Sequence, residues 1–136
     1  MNINRCLTLM MLTMQSAIVH ASGTVQCAAQ IEVRQEVSGV PKGWQAFEPS
    51  TKHPLMSIVF SEGEPIHRVI LLPTGEEGGA IATWTFTPST EGYWVSCGYN
   101  STSILISRKL PEGTASCRVE YDKDFNPPLP KKVECD

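Results

Sequence analysis

Outside its N-terminal segment the chain offers few side chains suited to catalysis. His53 sits in a Lys-His-Pro turn and His67 opens an apolar run. A catalytic histidine needs a nucleophile to activate and an acid to orient it. The sequence holds no Gly-x-Ser-x-Gly elbow that would supply the nucleophile, so both histidines are expected at the surface. Two carboxylate pairs, Glu62/Glu64 around Gly63 and Glu76-Glu77 before Gly78-Gly79, have the residue types for glycoside hydrolysis. Acids in Gly- and Pro-containing turns are normally solvated, and Gly78-Gly79 lacks the spacing of a phosphate cradle. No catalytic residue and no cofactor is therefore assigned.

Of the five cysteines, Cys6 lies near the N-terminus, and Cys27, Cys97, Cys117 and Cys135 lie in the body of the chain. Zinc ligation favours C-x₂₋₄-C pairs around a tetrahedral site, and none is present, so no metal is expected. Each of the four falls in phase with apolar neighbours: Cys27 with Ile31 and Val33, Cys97 with Val95 and Tyr99, Cys117 with Val119 and Tyr121, Cys135 with Val133. Alternate residues of a strand share a face, so all four point inward as buried disulfides. If 93–99, 103–109 and 116–121 form a meander, Cys97 and Cys117 lie two strands apart, about 9–10 Å at the usual strand spacing. A disulfide spans about 4.4–6.8 Å between Cα atoms. The preferred pairs are Cys27–Cys97 and Cys117–Cys135.

The aromatic residues point to recognition. Trp84 and Phe86 share a parity and read as core. Trp94 shares parity with Ser96 and Gly98, opposite Val95 and Cys97, which puts it on the outer face of its strand beside a flat glycine. Tyr99 and Asn100 follow at the hairpin tip. Trp94, Gly98, Tyr99 and Asn100 are thus the candidate binding residues, since an exposed Trp among polar groups is a frequent hot spot. Trp94 packing under the 38–53 segment, which carries Trp44 and Phe47, is the competing expectation.

The elements that would position these residues alternate in hydrophobicity with period 2, the mark of half-buried strands. Strands are expected at 25–37, 80–87, 93–99, 103–109, 116–121 and 132–135, and as short apolar runs at 55–60 and 66–72, with turn signals every 8–12 residues or so. The runs at 55–60 and 66–72 read as a hairpin. Pro127, Pro128 and Pro130 cannot donate ladder hydrogen bonds, so 126–130 is a loop or sheet edge. A short helix is allowed only near Trp44–Phe47. The pattern predicts an all-β fold, a small antiparallel sandwich or barrel-like domain with two disulfides. A small α+β open sheet is the alternative.

Residues 1–21 carry a basic start at Arg5, an apolar run and small residues before Ala21, the order of a secretory signal peptide. The run is shorter than the roughly 20 apolar residues a bilayer span needs, so no stable membrane anchor is expected after cleavage. Residues 22–136 would form a single disulfide-stapled domain in the periplasm. Cleavage removes one of 11 basic residues and none of the 14 acidic ones, taking the formal charge from −3 to −4. That balance, with no basic stripe, argues against nucleic acid.

Cys27 with Ile31-Glu-Val33, Pro41-x-Gly-Trp44, Thr83-Trp84, Tyr93-Trp94-x-x-Cys97-x-Tyr99, Leu110-Pro-x-Gly113, Cys117-x-Val119-x-Tyr121-Asp122 and Cys135 together resemble an uncharacterised family of small exported proteobacterial proteins. The resemblance covers nearly the whole of 22–136. It implies a periplasmic location and four structural cysteines, and it transfers no catalytic residue. A relative beside a contact-dependent secretion cluster implies an immunity or inhibitor role. The reading is a non-enzymatic periplasmic binding protein with a protein partner in the envelope, an inhibitor or immunity protein against a cell-wall-targeting toxin. A small hydrolase using His67 or the turn acids, and a structural or accessory envelope domain pairing through a strand edge, are the alternatives.

Overall fold

A computed structural model describes residues 23–67, 69–74 and 79–136. The expected leader, residues 1–21 with Arg5 and Cys6, and the Glu76-Glu77 pair lie outside these residues.

Nine strands are described: β1 (Gly23–Thr24), β2 (Gln30–Glu32), β3 (Lys52–Glu62), β4 (Ile70–Leu71), β5 (Ile81–Thr85), β6 (Tyr93–Tyr99), β7 (Leu105–Lys109), β8 (Ser116–Asp122) and β9 (Leu129–Cys135). All pairings are antiparallel. One sheet has the order β1-β9-β8-β5, the other β2-β3-β6-β7 with β4 against the far end of β3. The described residues contain no α-helix, only a 3-10 turn at Pro65–His67, and no helix long and apolar enough to cross a membrane. The fold is all-β.

The two sheets bury the faces that alternation marks as apolar. On β3 and β6, Ile58 lies opposite Cys97 and Phe60 opposite Val95, and all four are buried. On β8 and β9, Cys117 faces Cys135 and Val119 faces Val133, again all buried. Phe60 joins the sheets: its ring centroid is 4.8 Å from Trp84 and 5.8 Å from Phe86. Trp84 keeps its indole N–H satisfied by donating to the carbonyl of Leu71 at 3.0 Å, which meets the demand of a buried polar group.

Three expectations are corrected. The alternating stretch 25–37 is not one strand: only Gln30–Glu32 of it forms a strand, β2 against β3, while β1 just before it pairs with β9 and Val25 N–H still donates to Val133 O, so the chain crosses between sheets around Cys27. No helix forms at Trp44–Phe47. A turn at Pro41–Trp44, closed by Trp44 N–H donating to Pro41 O at 3.0 Å, stands there instead, within a segment too exposed to dock a helical face. The meander from β6 through β7 does not continue into β8, which lies between β5 and β9. Leu110 still closes the β6–β7 ladder through Tyr93 O at 2.8 Å. Pro111 then lacks a donor, Gly113 takes φ 81°, and the chain swings to the other sheet.

The bridges are Cys27–Cys97, with 5.9 Å between Cα atoms, and Cys117–Cys135, with 4.1 Å. The second joins directly opposed residues of neighbouring strands. Disulfides of this kind persist in an oxidising compartment.

Gly98 is a close-approach position. A Cβ there would run into Ser57 Oγ and sit 3.4 Å from Leu105 Cδ2. Gly98→Ala is expected to cost about 1–3 kcal/mol through overpacking. A denaturant midpoint equal to that of the wild type would show that Ser57 swings aside without cost.

Candidate functional site

β2 is short because only 30–32 lies against β3, where Gln30, Ile31 and Glu32 oppose Pro54, His53 and Lys52. The chain from 33 to 51 therefore leaves the sheet as a long loop and returns to it. Val33 N–H donates to Thr51 O at 2.8 Å and closes the loop's base. Gln35 N–H donates to Glu48 Oε1 at 2.8 Å and draws the two arms together. Gln35 Nε2 reaches across to Ser101 O at 3.2 Å, tying the loop to the tip of the β6–β7 hairpin. Ser101 holds φ 58°, the left-handed turn conformation that lets the hairpin reverse.

Between loop and tip lies an open groove of about 740 Å³, within the roughly 300–1,000 Å³ of typical ligand sites. Its walls include Glu36, Val37, Phe47, Glu48 and Asn100, and His53 lines its inner side. Three apolar side chains of the loop stand in solvent: Val37 is 63%, Trp44 75% and Phe47 85% exposed. Isolated exposed apolar residues are ordinary, but several on one loop mark an interaction surface.

His53 corrects the expectation of a surface histidine, for it is only 2% exposed. Its Nδ1 lies 2.7 Å from Asn100 O. A carbonyl can only accept, so Nδ1 carries the proton and donates. Nε2 is buried without a hydrogen-bond partner. Asn100 N–H donates to Pro54 O at 2.9 Å, so the hairpin tip is clamped to β3 through both backbone groups of one residue.

The four candidate binding residues separate. Asn100 is exposed at the groove. Trp94 is half-buried on the outer face of its sheet, level with Ser61 on one side and Lys109 on the other. Gly98 is buried under Ser57 and Leu105. Tyr99 is a core residue and gives the hairpin rigidity rather than contact area. Trp44 and Phe47, which would have covered Trp94, stay in solvent.

Burial pushes the Tyr99 phenol above its ordinary value of 10.0, and its hydroxyl is buried without a hydrogen-bond partner of good geometry. Tyr121 is raised by burial too. A phenol whose folded pKa is raised holds its proton longer folded than unfolded, so the stability it contributes is intact below about pH 10 and lost as pH rises through the folded value. Thermal melting is expected to fall more steeply above pH 10 in the wild type than in Tyr99→Phe. Parallel curves would remove Tyr99 as the cause.

His67 lies exposed in the 3-10 turn, and its backbone N–H donates to Glu64 O at 3.0 Å. Glu62 Oε1 accepts from Ser89 Oγ at 2.6 Å, which fastens two turns. Among the described residues no three His, Cys, Asp or Glu side chains cluster as metal ligands.

The sequence held one signal for the groove that parity reading missed. His53 shares the phase of Leu55, but the register shifts between Leu55 and Ser57. Beyond that bulge the inward residues are Ile58 and Phe60, so alternation counted back from them places His53 correctly only after the extra residue is allowed for.

Residues 49–136, more than half of the chain, match the family model described as type VI secretion system Tli immunity protein. No curated protein and no solved structure matches the chain.

Proposed function

The chain belongs to the type VI secretion system Tli immunity family, and from that membership we propose that it works in the periplasm by holding its toxin in a stoichiometric, non-catalytic complex. Immunity against a secreted toxin is its function. The family match carries this reading, and the disulfides support the compartment, since thiols in the cytosol are kept reduced. Residues 1–21 have the order of an export signal, and the toxin it meets after export would be one that acts in the envelope. The groove beside Asn100 and the exposed Val37, Trp44 and Phe47 supply a surface for protein contact without a catalytic constellation.

Target cells producing the full chain should survive attack by a strain that delivers the matching toxin. Cells producing a chain without residues 2–21 should die, because that chain stays in the reducing compartment. Purified chain should abolish toxin activity at one equivalent. Death of cells carrying the full chain sinks the immunity reading, and survival of cells carrying the leaderless chain sinks the periplasmic one. Loss of toxin activity at far below one equivalent, with modified toxin in solution, would favour an enzyme.

A further inference from the structure

We propose that the groove between the 33–51 loop and Asn100 is the toxin-binding site, and that it takes an arginine side chain flanked by apolar residues on the toxin. The proposal rests on the immunity reading and specifies its surface and partner chemistry.

The groove carries an excess of negative charge, with Glu36 and Glu48 set against Lys52. His53 belongs to the lining, and with Nδ1 bonded to Asn100 O at 2.7 Å its Nε2 is left as a buried polar atom without a partner. Glu36 and Glu48 add carboxylates, and Glu48 Oε1 accepts one backbone N–H at 2.8 Å. Lys52 is the one cation lining the site and offsets only one of the two acids. Two carboxylates call for a donor-rich ligand of positive charge. The exposed Phe47 ring and the Val37 side chain stand beside those acceptors. An arginine meets both demands: its planar guanidinium carries five donors in a fork and stacks on aromatic faces. A lysine, a compact and strongly hydrated charge, uses the ring less well. The volume of about 740 Å³ leaves room for neighbouring toxin residues against Val37. The net charge of −4 expected after leader removal favours approach of a basic surface.

The outer face of the second sheet is the rival surface, with Trp94 half-buried and Ile70 and Leu72 exposed. Around Trp94 it offers apolar area with Lys109 alongside and specifies no ligand chemistry.

The test uses purified exported protein and the toxin against which the wild-type chain protects cells. Phe47→Ala and the double variant Glu36→Gln/Glu48→Gln should each weaken binding by tenfold or more, on the order of a hot-spot contact. The double variant should also flatten the dependence of affinity on salt. Both should melt as the wild type does, since the altered side chains are on the surface. Toxin treated with an arginine-selective dicarbonyl should no longer bind, whereas toxin acetylated on lysine should. Unchanged affinity for dicarbonyl-treated toxin overturns the proposal. So does a loss confined to Trp94→Ala, which would move the interface to the outer face while immunity stands. If the wild-type chain neither binds nor protects, the immunity reading fails and the groove assignment fails with it.

Discussion

Phe60→Ala is expected to destabilise the fold by about 3–5 kcal/mol, the usual cost of removing a phenyl ring from a packed core. Phe60 has no exposed surface. It belongs to β3 of one sheet, and its ring lies 4.8 Å from Trp84 of β5 in the other and 5.8 Å from Phe86 just beyond it. Aromatic pairs at such distances contribute about 0.5–1.5 kcal/mol beyond burial. The ring fills the space between sheets, so its loss leaves a cavity that neither ladder can close without sliding register. A fall in melting temperature on the order of 10–20 °C should accompany it. Equilibrium denaturation with an unchanged slope and a loss below about 1 kcal/mol would show that Trp84 and Phe86 collapse into the space.

Loss of the Cys27–Cys97 bridge, by changing both residues to Ala, should cost about 4 kcal/mol, against about 3 kcal/mol for the Cys117–Cys135 pair, by the loop-entropy relation. The first bridge closes 70 residues and the second 18. Position sharpens the difference. Cys117–Cys135 reinforces neighbours already joined by the β8–β9 ladder. Cys27 sits where the chain leaves β1 for β2, two strands of two and three residues, and its sulfur fastens that crossing to β6. Without it, amides of Val25, Val33 and Leu55, bonded at 3.3, 2.8 and 2.8 Å to carbonyls of or near the crossing and the loop base, should exchange faster than those of β8. Toxin binding should fall as well, because the 33–51 loop would lose its anchored end. Equal exchange of these three amides and those of β8 after the change would refute a special role for this bridge.

Membership of an immunity family sets the task. Neutralising a toxin demands a rigid surface that presents a few side chains in place. The β6–β7 hairpin supplies it: Tyr99 is packed in the core, both backbone groups of Asn100 are bonded to β3 residues, and Ser101 is tied to Gln35. Contact residues on a tip so fixed lose little freedom on binding.

Local chemistry made much of this protein legible from its residues. Alternation marked the strands and the core positions of Trp84, Phe86, Val95 and Val119, because period 2 depends only on neighbours along the chain. The same parity set the cysteines among apolar residues. Turn residues such as Pro111 and Gly113 marked where strands end. Tertiary structure alone decided which sheet each strand joins: alternation says which side chains point inward and leaves open which strand lies alongside. It took β8 away from β7, split 25–37 between sheets, and shifted register at Leu55. The groove arises only in that assembly. His53 and Asn100 are 47 positions apart and Gln35 and Ser101 66 apart, so no local pattern along the chain could bring them together.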